Sequence, residues 1–282
     1  MKAEYEKLSQ RIHIKFKLIL SWNVRIRTDK GRERRTAMDV TVFKRREIKF
    51  LVSAEQRAML EEAMKEYMIP DEHGESIICN VYYDTPDFRL IRKSLEKPVY
   101  KEKLRIRSYG RAGEDNKIFM ELKKKYDGIV YKRRISVGYK DAAAFLAGKA
   151  PLPTDGQIER EIEYFVKYYG GLVPAMYLCY DRTAYFCKDD PGLRITFDKN
   201  ILWRTDKARL NSQPDGRDLL EPDQSLMEIK VGASMPLWLA ELLSKGQIRQ
   251  VSFSKYGTAY ETLISEKKNT NIKMMKRGVY CA

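Results

Sequence analysis

The stretch Lys101–Gly110, KEKLRIRSYG, decides how the chain is read. Leu104 and Ile106 alternate with Arg105 and Arg107. In a strand, a period of two puts the apolar pair on one face and the guanidinium pair on the other. A half-buried antiparallel strand with a solvated outer face gives this pattern. A strand whose arginines line a site for a strong anion gives it too, so the neighbouring segments have to choose.

The alternation recurs along the chain. Arg45–Val52, Ile77–Tyr83, Lys101–Ser108, Lys117–Lys124, Ile129–Val137, Ala175–Phe186, Leu193–Leu202 and Ser225–Val231 all read as strands. KKYDGIVYKRR marks a hairpin, with Tyr126-Asp127-Gly128 at its turn. Helices are expected over Ser53–Met68, opened by a Ser53/Gln56 capping box and stopped by Pro70, and over Asp141–Ala147 and Gln157–Tyr169. MPLWLAELLSKG has Pro236 in its first turn and Gly246 past its end, and a last helix follows Ser254. Strands and helices show no strict βαβ rhythm. The predicted class is α+β: an antiparallel eight-stranded β-barrel flanked by helices.

The faces opposite the apolar residues share a theme. They carry Arg45, Glu47 and Lys49; Arg105 and Arg107; Glu121 and Lys123; Lys132 and Arg134; Arg182; Arg194, Thr196 and Asp198; and Glu228 and Lys230. For a single strand, a solvated face is the ordinary explanation. A generic outer face, however, would mix in Thr, Ser and Gln, because strands disfavour Lys and Glu. The opposite faces are apolar enough to pack against helices, which leaves the charged faces pointing into a lumen. A charged lumen is costly unless compensated, and a multiply anionic ligand compensates Arg and Lys. Glu47, Glu121, Asp198 and Glu228 then suit oxygen ligands for a divalent metal. Arg grips phosphate bidentately and Lys acts as a point charge, so the expected occupant is polyphosphate or a nucleoside triphosphate.

Composition agrees. The 282 residues are 43% hydrophobic, enough for a packed core, and 54 Lys and Arg against 39 Asp and Glu give +15. Such a surplus indicates an anionic partner. Residues 1–37 hold 11 basic and 4 acidic residues and lack a clear period. They are expected to be a basic extension, poorly ordered or outside the true start. Residues 38–267 are expected to form one domain, and 268–282 a loose tail. Cys79, Cys179, Cys187 and Cys281 show no CxxC pair or zinc spacing. Cys179 and Cys187 fall in a strand pair and are read as buried free thiols, in keeping with a reducing cytoplasm. No run reaches the ~20 apolar residues of a membrane span, and FKLIL is too short for a signal peptide. Walker and GxGxxG loops are absent. The only histidines, His13 and His73, leave little room for a Ser-His-Asp or Cys-His centre. The tyrosines do not line up with the arginine faces as a base-stacking platform would, so no specific nucleic acid is expected.

FKRREIKF, KLRIRSYG, MELKKK, VYKRR, YDRTAYF, ITFDKNI, LMEIKV and FSKYGTAY stand in the order seen in the VTC domain. That domain is the catalytic part of the vacuolar transporter chaperone polyphosphate polymerases and their bacterial relatives, within the triphosphate tunnel metalloenzymes. The resemblance covers roughly Val42 to Glu261. It implies an eight-stranded tunnel in which ATP gives its γ-phosphate to a growing polyphosphate chain, helped by Mn²⁺ or Mg²⁺. On the matched motifs Lys49, Arg105, Arg107, Lys123, Lys132, Arg182 and Lys255 would cradle phosphates, alongside Arg134, Arg194 and Lys230. Glu228 would be the principal metal ligand, with Glu47, Glu121 and Asp198 behind it. The chain departs from the eukaryotic polymerases at Ser252, where they place a further lysine, and in lacking their phosphate-sensing and transmembrane segments. Membrane coupling would then need a partner protein. Two other readings fit the same faces: hydrolysis of triphosphate or nucleoside triphosphate, and a barrel that binds RNA or polyphosphate without turnover.

Overall fold

The computed structural model describes residues 46–278 apart from 73, 128 and 233, with side chains to 269. The expected extension 1–37 lies outside the described residues, as do His13, His73 and Cys281.

The strands are β1 (Arg46–Val52), β2 (Met68–Pro70), β3 (Ser76–Asp84), β4 (Tyr100–Tyr109), β5 (Lys117–Tyr126), β6 (Ile129–Gly138), β7 (Val173–Cys187), β8 (Arg194–Arg204), β9 (Arg217–Asp218) and β10 (Ser225–Val231). The helices are α1 (Ala54–Met64), α2 (Arg89–Leu95), α3 (Tyr139–Leu146), α4 (Gln157–Tyr169), α5 (Leu237–Lys245) and α6 (Lys255–Gly278). All the expected alternating segments are strands of one antiparallel sheet, in the order β1-β10-β8-β7-β3-β4-β5-β6. The short β2 and β9 are added at β7 and β8.

The sheet curls so that its two ends approach. The Glu47 carboxylate on β1 lies 3.9 Å from the Lys123 ammonium on β5. Among the described residues β1 and β6 share no ladder, so this seam is bridged by side chains and not by backbone hydrogen bonds.

Each convex face packs as the period-two pattern requires. Leu104 and Ile106 of β4 join Ile118, Met120 and Leu122 of β5 beneath Phe145 and Leu146 of α3 and Ile162 and Phe165 of α4. Phe50, Ile195, Phe197, Met227 and Ile229 pack against Leu60 and Met64 of α1 and Leu239 and Leu243 of α5. A third cluster forms on the other side of the sheet. There Ile78, Tyr82, Met176, Leu178, Tyr180 and Leu226 surround Tyr256, Ala259, Tyr260 and Leu263 of α6 and Ile91 of α2. The concave side is therefore apolar where α6 enters and charged beyond it.

Several local expectations are refined. Ser53 caps α1 with the reciprocal bonds of a capping box, its hydroxyl accepting from Gln56 N and its N–H donating to Gln56 Oε1. The helix ends at Met64, short of Met68, because Pro70 forces its predecessor extended and Met68–Pro70 pairs instead with Tyr185–Cys187. Asp127 takes φ +44° at the turn between paired Tyr126 and Ile129. Helix α6 continues through 268–278, where a loose tail was expected. Cys79 and Cys179 face each other across β3 and β7 as buried free thiols, while Cys187 is only half-buried. None of the described helices is long and apolar enough to cross a membrane.

Candidate phosphate-binding lumen

Directly paired residues of adjacent strands share a face, so the register assembles the site. Glu47, Lys230 and Arg194 form one row across β1, β10 and β8; Lys49, Glu228 and Thr196 form the next. Tyr82, Arg105, Glu121 and Arg134 line up across β3 to β6, flanked by Asn80 and Arg107 on one side and by Lys103, Lys123 and Lys132 on the other. A bulge between Cys179 and Asp181 breaks the β7–β8 register and sets Arg182 opposite Asp198.

On the β4–β6 wall, Glu121 is the shared counter-charge. Its Oε2 accepts from Arg105 Nε at 2.8 Å, and its Oε1 lies 2.8 Å from both Lys132 Nζ and Arg134 Nε. Burial opposes its negative charge, but Arg105, Arg107 and Lys132 outweigh burial and hold its carboxyl well below the usual range. Arg105 also donates to Tyr82 OH at 3.0 Å. Arg107 is braced by Asn80 Oδ1 at 2.9 Å and Tyr180 OH at 3.2 Å, and Arg134 stacks 3.9 Å over the Phe119 ring.

On the opposite wall, Arg182 grips Asp198 with two bonds of 2.6 and 2.7 Å. Lys255, the first residue of α6, sits between Asp198 (2.5 Å) and Glu228 (3.1 Å). Glu228 also lies 3.6 Å from both Lys49 and Arg182. Burial would raise its pKa, yet Lys255, Lys49 and Arg182 keep it well below the ordinary carboxylate value. Tyr180 stands between the walls, its ring 4.6 Å from Lys255 and 5.2 Å from Arg182 while its hydroxyl meets Arg107.

The structure thus brings together Lys49, Arg105, Arg107, Lys132, Arg134, Arg182, Lys230 and Lys255. Lys123 stands at the seam with Glu47, about half exposed. Arg194 lies toward the rim, 3.5 Å from Asp71 and over the Phe186 ring. The four carboxylates do not converge. Among the described residues no three acidic, histidine or cysteine side chains form a ready metal group. Asp198 and Glu121 have both oxygens taken by cations and serve as counter-charges. Glu47 and Glu228 are paired less tightly: their Oε1 atoms lie 3.2 and 3.6 Å from the Lys49 ammonium, and their Oε2 atoms 3.9 Å from Lys123 and 3.6 Å from Arg182. Beside Glu228 the buried Thr196 hydroxyl has no hydrogen-bond partner among the described residues. Two carboxylates and a spare hydroxyl offer only oxygen donors, the donor chemistry that a hard divalent cation takes.

Sequence reasoning missed Lys103. It continues the Arg105/Arg107 face, donates to Ser254 Oγ at 3.1 Å, and burial pushes its ammonium down to about 8. Its alternation with Leu104 was the available signal. Tyr82 and Asn80 were missed as well, and the tyrosines were expected not to line up with the arginine faces; instead Tyr82 stands in the Arg105 row and Tyr180, on the Arg182 face, meets Arg107, because nothing local distinguishes a tyrosine that braces an arginine from one in the core.

The model of the VTC domain family matches residues 44–264. Vacuolar transporter chaperone complex subunit 4 of Schizosaccharomyces pombe is 25% identical over 236 residues, covering 68% of this chain and 32% of that protein. The chain therefore spans about a third of that relative's length. Among solved structures, a protein described as an adenylate cyclase from Bacillus halodurans superposes with a TM-score of 0.47 at 17% identity, over 74% of this chain and 92% of that one. Another so described, from Vibrio parahaemolyticus, gives 0.42 at 12% identity, over 77% and 98%.

Proposed function

The chain belongs to the VTC domain family, and from that premise we propose that it synthesises inorganic polyphosphate, transferring the γ-phosphate of ATP to a growing chain held in the lumen. The observation that carries the reading is the pairing of two cationic walls. Arg105, Arg107, Lys132 and Arg134 stand on one, and Lys49, Arg182, Lys230 and Lys255 on the other, with too few carboxylates between them for balance. Phosphoryl transfer asks for positioning and charge stabilisation more than for covalent chemistry, and a two-walled cradle supplies both.

In this reading Arg105 and Arg107 hold the triphosphate, each braced by a second bond to Tyr82 or Asn80 that fixes its guanidinium plane. Lys49, Lys255 and Arg182 face the transferring group and hold the acceptor end in line. Glu228, with Glu47, would hold Mg²⁺ or Mn²⁺, which would supply positive charge to the developing transition state. Asp198 and Glu121 keep the cations oriented when no ligand is present.

The test is incubation of the purified protein with ATP and Mn²⁺, resolving products by gel and ³¹P NMR. Polyphosphate with matching ADP is expected. Orthophosphate or tripolyphosphate without polymer would assign hydrolysis to the same lumen. Binding without turnover would leave a polyanion-binding barrel.

A further inference from the structure

Asp84 is completely buried at the end of β3, yet among the described residues no cation pairs with it. Its charge is met by N–H and O–H donors instead. Oδ1 accepts from Thr85 N and Leu90 N, both at 2.8 Å, and Oδ2 from Ile91 N at 3.0 Å and from the Tyr256 hydroxyl at 2.8 Å. Two of these amides, Leu90 N and Ile91 N, tie Asp84 to the start of α2, which has no side-chain cap of its own. The fourth bond reaches into α6, to the residue after Lys255.

Tyr256 is 2% exposed and stacks on Tyr82, centroids 4.5 Å apart and planes 19° from parallel. Tyr82 in turn accepts from Arg105. Around the same segment Lys49 Nζ donates to Phe253 O at 3.1 Å, and Lys103 Nζ to Ser254 Oγ. One buried chain of contacts therefore runs from Asp84 through Tyr256 and branches to Lys255 on one wall and Arg105 on the other.

We propose that Asp84 is a positioning residue for the phosphate site: by holding the Tyr256 hydroxyl it fixes the entry of α6, and so the place of the Lys255 ammonium between Asp198 and Glu228. A solvated or rotated Tyr256 would let α6 turn at its first residue and move Lys255 along the lumen. The proposal rests on the reading of the lumen as a triphosphate site.

The test measures tripolyphosphate affinity by calorimetry, turnover of ATP with Mn²⁺, and thermal stability for Tyr256→Phe, Asp84→Asn, Lys255→Met and Tyr256→Phe/Lys255→Met. Tyr256→Phe keeps the stacked ring and remains informative if Asp84→Asn fails to fold. Loss of one buried hydrogen bond that orients a binding group predicts about a tenfold loss of affinity. The decisive outcome is non-additivity: with Lys255→Met already present, Tyr256→Phe should cost no further affinity, although its effect on melting temperature persists. Equal losses in both backgrounds would make Asp84 and Tyr256 structural only and overturn the proposal. So would wild-type affinity in Tyr256→Phe. Failure of the wild type to bind tripolyphosphate would instead overturn the reading of the lumen, and the positioning role with it.

Discussion

Lys255 and Asp198 meet at 2.5 Å, although one opens a helix and the other lies in the middle of β8. Both are buried, and the contact puts a helix-borne cation against a carboxylate already gripped by Arg182. Asp198 and Glu228 keep the Lys255 ammonium charged, its pKa raised despite burial. The lumen is thus an assembly of strands completed by one residue from outside the sheet.

Replacing Glu228 by Gln should separate binding from chemistry. Glu228→Gln removes a negative charge among Lys255, Lys49 and Arg182, so tripolyphosphate should bind at least as tightly as to the wild type. Turnover should fall about a hundredfold or more, on the scale of losing one preorganised transition-state contact. Full activity in the variant, checked by product gels, would remove Glu228 from the metal assignment.

The alternation in β4 predicts opposite phenotypes for adjacent residues. Arg105→Ala should weaken tripolyphosphate binding by about tenfold or more, a charge-assisted pair being worth ~1.5–3 kcal/mol. Ile106→Ala should leave affinity nearly intact but cost ~2–5 kcal/mol of stability by opening a cavity against α3 and α4. Urea unfolding and calorimetry on both variants check this; exchanged phenotypes would turn the strand over.

Affinity for tripolyphosphate should fall as pH rises through about 8. Burial holds the Lys103 ammonium near 8 when the lumen is empty, and a bound polyanion favours its protonated form. In the free protein this group acts oppositely on stability. Between about 8 and 10.5 the unfolded chain retains a proton that the folded chain has lost, so its contribution rises with pH across that window. Titrations at pH 7 and 9 should show a smaller pH effect in Lys103→Arg, whose charge is fixed. Identical profiles would place Lys103 outside the ligand's field.

Chelation should stop turnover but not occupancy. With divalent ions removed, tripolyphosphate should still raise the melting temperature, because the walls bind phosphate through their own cations. The stabilisation should shrink as salt is added. Loss of all stabilisation on chelation would make the ion, and not the arginines, the main phosphate contact.

The sequence by itself determined the eight longer strands, most of the helices and the face each side chain takes, because a period of two and a capping box are properties of the local backbone. Gln157–Tyr169 and Ser225–Val231 agree with their helix and strand to the residue. The family resemblance was legible for the same reason, carried by short alternating motifs. Only the tertiary structure decided what each charge does. Glu121 and Asp198 read like Glu228 in isolation; strand order and the β7 bulge bring cations to within 2.5–2.8 Å of both oxygens of each, whereas the cations around Glu228 stand at 3.1–3.6 Å. Helix α2 escaped notice because its cap, Asp84, comes from a preceding strand, and Lys255 reaches the lumen only because α6 folds into the concave side. Partners such as Lys49 and Phe253 are 204 residues apart. No local periodicity encodes contacts at that separation; the packing of α6 into the curled sheet creates them.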